Sequence, residues 1–555
     1  MPNISNDTNI TLELKSQTIL IVFLTVYFII WSVAPALLAS SVPLDVSEGI
    51  SWGSEWQWGY YKHPPLSSWI LYSFYNLFGR IGPYLLSQLS VMATMVLVYF
   101  LACKLMSHQR ALLASVLTLG VVYYSYPSLE FNHNVAQFPI WAGLSLLFYH
   151  CINDNRYRDW VAFGIVGGLG MLTKYSVIFL LLPMALYLIF PRQWRLLKSP
   201  KPWLSALIML AVFSPHLYWL LEYDWLPFSY ISSRAHDSNE VSAVSAHFSG
   251  LGFTFSQAVA HLPLLIMAVL SRKHLSISST QFKAWLKPSQ SFANLKSATA
   301  ITSHDDAHHN LGLIYYLWLA PLILLIVLSL VLGLGLRDMW GMPMWSLSAI
   351  VLVSAIKSDA ISALVPKLSR YLMIWLGLVT LLMITYLAFG QQIRGKPSRM
   401  DWPAQTLTAQ AEQTWQSIST CPLDSVSGDR WLSALVVINS PDPWPSQMIS
   451  GAAINSPWMS LERLQQKGTL VMHEPKDRMI LPLLDSFANP SNNSNNDSST
   501  TNFAANHAHK TAINQRFTLL HYSGTWQISW PKQPKATPLT IAWQAYVPPQ
   551  CAKSQ

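Results

Sequence analysis

At 555 residues the chain is long enough for several soluble domains, yet 52% of its residues are hydrophobic, 11% are charged, and the mean hydropathy is +0.30. That balance excludes an ordinary soluble globular protein and reads as a mainly α membrane protein that crosses the bilayer many times. The net charge of +9 would suit a nucleic-acid binder, but the Lys and Arg fall mainly in short links between apolar runs, as the positive-inside rule requires, so nucleic acid is excluded as a partner.

The N-terminus is polar through Gln17 and then apolar over 18–40. That run is about twice the apolar core of a cleaved signal peptide, so it reads as a retained first transmembrane helix, with cleavage near Ala39 and Ser40 as the alternative. Apolar windows of helix length then predict about eleven spans, up to thirteen: 18–40, 82–104, 111–127, 135–151, 160–173, 176–190, 203–221, 255–271, 312–333, 345–358 and 370–390. Basic residues collect in alternate connections: Lys104 and Arg110; Arg156 and Arg158; Arg192, Arg195, Lys198 and Lys201; Arg272 and Lys273; Lys357, Lys367 and Arg370. These connections, and the N-terminus with them, are assigned to the cytoplasm. The opposite set faces outward: the loops 41–81, 127–134, 222–254 and 334–344, together with Lys174 and Tyr175.

Residues 1–390 thus form the transmembrane domain. Residues 391–555 form an exported, periplasmic domain whose strand-like runs, such as Ala434–Ile438 and Gly468–Met472, alternate with Pro-rich turns, an α/β or β-rich pattern. Cys421 and Cys551 are its only cysteines, and in an oxidising compartment they are expected to pair, two free thiols being the alternative. The tracts at about 273–310 and 485–510 are too rich in Asn, Ser and Thr to bury a core. His304, His308 and His309 in the first read as part of a polar tract rather than as a metal site.

Residues 41–66, SVPLDVSEGISWGSEWQWGYYKHPPL, carry the densest chemistry. Plain connections are built from Gly, Ser, Asn and Asp; this one holds Asp45, Glu48, Glu55, Lys62, His63 and many aromatics. If the segment after Pro43 is helical, Asp45 and Glu48 lie on one face at i, i+3, where mutual repulsion would favour a base. The competing reading is a helix start capped by Asp45.

Asp45 and the run Gly-Tyr-Tyr-Lys-His-Pro-Pro-Leu from Gly59 to Leu66 resemble the first outward loop of glycosyltransferase family 39, in the GT-C group that includes protein O-mannosyltransferases and the aminoarabinose transferases of lipid A. The resemblance continues through Pro127–Asn134 (PSLEFNHN), Leu172–Tyr175 (LTKY), Pro227–Tyr230 (PFSY) and Arg337–Trp345 (RDMWGMPMW), and so spans about 20–390. It implies a GT-C-type helix bundle, a sugar on a polyprenyl (undecaprenyl) monophosphate as donor, and inverting transfer at the outer face of the inner membrane. The acceptor would be lipid A, another glycolipid or a protein, with membrane lipids around the bundle. It implies Asp45 as the general base. The family has a second acid directly after that position, where this chain has Val46, and Glu48 stands as its substitute. Relatives also carry an acid before the His-Pro turn, where this chain has Lys62; a divalent metal there stays an open expectation.

A departing phosphate gathers negative charge and needs cations. Lys62, Lys174, Arg234 and Arg337 lie on the outward side and form the pool for that task, with snorkelling at the interface as the bland reading. Glu130, Asn132, His133 and Asn134 are candidates for sugar hydroxyls, unless they cap helix ends. Most of the 24 Trp and 23 Tyr belong to interfacial belts. Trp52, Trp56, Trp58, Tyr60 and Tyr61 are near enough to the acids to stack a sugar, and His63 sits beside them. A carrier of lipid or glycolipid, without chemistry, is the alternative function; it would place ionisable groups at the bilayer midplane in broken helices, whereas here they gather at one face. An envelope assembly factor would show no dependence on Asp45.

Overall fold

The structure, a computed structural model, describes residues 4–191, 193–230, 247–275, 303–449, 455–476 and 519–554. Arg234, the tract at 485–510 and most of the tract at 273–310 lie outside the described residues.

Among the described residues six helices are long and apolar enough to cross a membrane: Thr18–Leu38, Leu66–Ala102, His133–Asn153, Pro200–Glu222, Asn310–Leu332 and Ile361–Arg394. Two bent pairs, His108–Gly120 with Val122–Leu129 (85°) and Ser249–Ala260 with Leu262–Leu270 (58°), raise the number to eight at most. Among the described residues the expected eleven is not confirmed. A hydropathy window registers apolarity and not an unbroken backbone, so it counted the 17-residue helix Tyr157–Thr173, the 10-residue helix Ile178–Tyr187 and the 7-residue helix Ser348–Ser354 as full spans, and the bent 111–127 and 255–271 segments as straight ones. It also took 41–81 for a loop, although Leu66–Phe78 is helical and runs into the second long apolar stretch.

The chain divides into two compact units. The first comprises residues 1–37, 80–218 and 231–384. In it α1 (Ile4–Leu38) is joined to the long C-terminal helix Ile361–Arg394 by a bond from Trp31 Nε1 to Thr380 Oγ1 of 2.9 Å. Helices Tyr157–Thr173 and Pro200–Glu222 approach closely because Gly164 and Gly168 lack side chains: a Cβ on Gly164 would stand 2.5 Å from Ser205 O, and one on Gly168 2.6 Å from Val212 Cβ. Small residues four apart are the usual device for backbone contact inside a membrane, where apolar burial drives nothing.

The second unit comprises residues 38–79, 219–230 and 385–555, so the acid-rich first loop belongs to the same unit as the C-terminal domain. The loop contributes α2 (Leu44–Ser54) and α3 (Leu66–Phe78). A Cβ on Gly53 would stand 2.3 Å from Ser68 O, so only glycine lets α2 lie this near α3. The C-terminal domain is a five-stranded sheet in the order β2-β1-β3-β5-β4, with strands β1 (Ser425–Gly428), β2 (Ser446–Ile449), β3 (Thr469–His473), β4 (Leu520–Ile528) and β5 (Leu539–Val547). β1 pairs in parallel with β2 and β3; β5 is antiparallel to β3 and β4. A core of Met448, Met459, Leu464, Val471, Leu519 and Tyr546 fills one cluster of this domain.

The run Ala434–Ile438 is not a strand but the body of a helix, Arg430–Asn439. Asp429 decides it: its carboxylate accepts from Trp431 N and Leu432 N, both at 2.9 Å, a cap that outweighs the β preference of Val436, Val437 and Ile438. Cys421 and Cys551 form a disulfide that ties the end of the domain to its start across 130 residues. Cys421→Ala is expected to lower unfolding free energy by about 2–5 kcal/mol, read as a lower thermal midpoint that dithiothreitol no longer shifts further; a midpoint equal to wild type would show the bridge to be dispensable.

Candidate active site

α2 begins after Pro43, whose fixed φ suits a helix start. Asp45 therefore sits inside the first turn and is not the N-cap, which removes the capping reading of that residue. It is half-buried, while Val46 to Gly53 are all buried. Asp45 and Glu48 lie on one helix face as the spacing predicts, but they differ in environment. Glu48 is 4% exposed, and its Oε1 lies 2.7 Å from Lys62 Nζ and 3.5 Å from Arg430 Nη1. The expected mutual repulsion of two carboxylates gives way to pairing with two cations. A carboxylate so engaged is poorly placed to take a proton from an acceptor, so Glu48 reads as a counter-ion, leaving Asp45 as the candidate base.

Lys62 is the centre of this cluster. Its ammonium lies 4.8 Å from the centroid of Tyr61, 5.5 Å from that of Trp52 and 5.7 Å from that of Tyr230, an aromatic cage around a cation. Burial pulls its pKa below the ordinary lysine value, with Glu48 and Asp45 opposing and Arg430 adding to the fall. Asp45 is thus within electrostatic reach of Lys62. Burial pushes the Tyr61 phenol up, and its oxygen accepts from Arg430.

The aromatics divide by burial. Tyr60 is fully buried, stacked on Trp52 at 5.4 Å and edge-on to Trp458 at 6.0 Å, so it supports the loop instead of stacking a sugar. Tyr61 is also buried. Trp56 is 56% and Trp58 45% exposed, both packed against Trp69 at 5.8 and 4.9 Å, leaving these two aromatics of the proposed set open for stacking. His63 closes a turn with Tyr60 through backbone bonds of 3.0 and 3.3 Å.

The remaining candidates belong to the other unit. Asn132 caps helix His133–Asn153, its Oδ1 accepting from Asn134 N at 2.9 Å and Val135 N at 3.2 Å, which commits that oxygen to structure. Asn134 Oδ1 accepts from Lys174 Nζ, bringing two of the predicted residues together. Glu130 is half-buried ahead of that helix, and Arg337 is exposed just before the 3-10 turn Asp338–Trp345. Among the described residues no three of His, Cys, Asp or Glu converge on a metal-sized site, and a divalent ion gains no ligand set from them.

Beside the cluster, Glu55 faces Ser446, Arg463 and Asp424, with Arg463 Nε 2.8 Å from Asp424 Oδ2. Burial raises the Glu55 carboxyl above its ordinary value, the Ser446 hydrogen bond and Arg463 opposing and Asp424 reinforcing. A raised acid keeps its proton longer folded than unfolded, so stability falls as pH rises from the unfolded value through the folded one. Glu55→Gln is therefore expected to raise the thermal midpoint at pH 8 and to change it little at pH 4; equal effects at both would refute the burial cost.

Arg430 went unnoticed in the sequence because nothing local connects it to Glu48, 382 residues away. Its one signal was placement, a basic residue directly after a capping Asp in the C-terminal domain.

The fold and this arrangement define a mainly helical polytopic membrane protein with a charged cluster in its first loop. The chain matches the model of the dolichyl-phosphate-mannose-protein mannosyltransferase family over residues 62–219, a stretch that begins at Lys62, after α2. It is 27% identical over 326 residues to a lipopolysaccharide core galacturonosyltransferase, RgtB, of Rhizobium johnstonii, covering 55% of this chain and 59% of that one. It is also 27% identical over 121 residues to the undecaprenyl phosphate-alpha-4-amino-4-deoxy-L-arabinose arabinosyl transferase of Pseudomonas savastanoi, covering 21% of this chain and 23% of that one. The matches thus span less than two thirds of either relative's length. The crystal structure of ArnT from Cupriavidus metallidurans bound to undecaprenyl phosphate superposes with a TM-score of 0.57 at 12% identity, covering 96% of this chain and 99% of that one. Over residues 62–219 the chain is thus similar to the mannosyltransferase family, and its overall fold is like that of ArnT.

Proposed function

We propose that this protein is an inverting glycosyltransferase that moves a sugar from a polyprenyl-phosphate donor to a cell-envelope acceptor, a lipid A, another glycolipid or a protein. The work is done at the outer face of the inner membrane, with the N-terminus cytoplasmic and the C-terminal domain periplasmic. The observation that carries the reading is a half-buried acid, Asp45, within electrostatic reach of a caged cation, Lys62, in one loop. The names of the relatives, two of them transferases of lipopolysaccharide or undecaprenyl-phosphate sugars, agree with it.

The chemistry asks for two groups. Asp45 takes the proton of the acceptor hydroxyl as its oxygen attacks the anomeric carbon. The bond from that carbon to the phosphate oxygen breaks, its electron pair leaves with the phosphate, and the anomeric configuration inverts. Lys62 stabilises the charge that gathers on the leaving phosphate, and does so strongly because the cage keeps water away. Glu48 keeps Lys62 protonated in a buried place.

Membranes with and without the chain, supplied with polyprenyl phosphates carrying radiolabelled sugars, test the reading. Label is expected to pass from the polyprenyl fraction to an envelope fraction only where the chain is present. Donor pools unchanged for every sugar tried would refute it.

A further inference from the structure

We propose that Arg430, supplied by the C-terminal domain, is a second cation of the donor-phosphate site, so that this domain is a working part of the reaction centre. The inference rests on the donor reading above and assigns that site a residue from outside the transmembrane loops.

Two cations share one carboxylate at Glu48, at 2.7 Å for Lys62 and 3.5 Å for Arg430. The two differ in access. The Lys62 and Glu48 side chains are each 5% exposed, whereas that of Arg430 is 33% exposed, so the guanidinium is the part of the cluster an incoming anion reaches. Arg430 also faces the phenols of Tyr61 and Tyr230. A guanidinium carries five N–H donors in a fork that fits phosphate oxygens, and Glu48 Oε1 engages it from one side only, at Nη1.

The backbone at Arg430 is anchored before any ligand arrives. Asp429 caps the helix that Arg430 opens. The Arg430 carbonyl accepts from Gln447 Nε2 at 2.6 Å, and Gln447 Oε1 accepts from Ser51 Oγ on α2 at 3.0 Å. Gln447 is fully buried and also donates to Ser433 Oγ at 2.8 Å. The arginine is thereby fixed to the helix that carries Asp45 and Glu48. Such preorganisation makes a charged donor effective, since little is left to order when the phosphate binds.

The test is equilibrium binding of undecaprenyl phosphate, with undecaprenol as the uncharged control, to the purified full chain in detergent at low and high salt. Wild type is expected to prefer the phosphate. Arg430→Gln should weaken phosphate binding about ten- to a hundred-fold, as loss of a hydrogen bond to a charged group implies, and leave undecaprenol binding unchanged. Arg430→Lys should recover much of that loss at low salt and less at high salt. The inference is overturned if Arg430→Gln binds the phosphate as wild type does. It is equally overturned if the Gln and Lys variants lose phosphate and alcohol alike with a lowered thermal midpoint, which marks a structural residue. Wild type that does not distinguish phosphate from alcohol would sink the donor reading itself.

Discussion

Glu48→Gln is expected to lower the thermal midpoint on the order of 10 °C while leaving the shape of α2 unchanged. The substitution keeps the side-chain volume and removes the one charge that Lys62 and Arg430 share. Breaking a buried pair from one side leaves an uncompensated ion and costs about 3–5 kcal/mol, which in a domain of a few hundred residues is worth several degrees per pair broken. Most of the cost falls on Lys62, which is 5% exposed; Arg430, a third exposed, is partly screened by water. Burial already drives Lys62 toward its neutral form, and Glu48 is the largest influence holding it protonated. The double variant Glu48→Gln/Lys62→Met is expected to regain much of the lost midpoint, because it removes the orphaned charge along with its partner. A Glu48→Gln midpoint equal to wild type, measured at a fixed scan rate, would show that the pair stabilises nothing.

Asp45→Asn has the opposite signature. Asp45 is half-buried on the first turn of α2, and Lys62 keeps Glu48 as its 2.7 Å ion-pair partner when Asp45 is changed, so the exchange of one oxygen for an amide nitrogen should move the thermal midpoint little. The rate of transfer is expected to fall by about 10²–10⁴, the usual contribution of a positioned base, with binding of undecaprenyl phosphate within a few-fold of wild type. The contrast separates the two acids of one helix face: loss of Glu48 acts on stability and on Lys62, loss of Asp45 on turnover. Transfer by Asp45→Asn at the wild-type rate would move the base elsewhere.

Much of this site was legible in the chain. The spacing of Asp45 and Glu48 and the start after Pro43 predict the helical face that α2 presents. The dense loop 41–66 also stands out by its residue types alone. Partnership was not legible, because it is set by tertiary contact: Lys62 meets Glu48 across 14 residues and Arg430 meets it across 382. Sequence reasoning therefore treated Glu48 as a second base and Tyr60 as a sugar platform, where burial makes one a counter-ion and the other a support. The expected span number is not confirmed, for a different reason. The helices Ile178–Tyr187 and Ser348–Ser354 are as apolar as true spans but end early, and apolarity says nothing of where a backbone bends. In the C-terminal domain the β-prone run Val436–Ile438 reads as a strand by itself, although a capping Asp429 before an apolar run is a helix-start signal of the same standing.

The most direct test of the central claim is a turnover experiment with the purified full chain, an undecaprenyl-phosphate sugar and an envelope glycolipid acceptor, followed by chromatography of both lipids. Free undecaprenyl phosphate is expected to appear in step with glycosylated acceptor of inverted anomeric configuration, with wild type and not with Asp45→Asn. An intact donor with every sugar offered to a folded chain, or product of retained configuration, would contradict it.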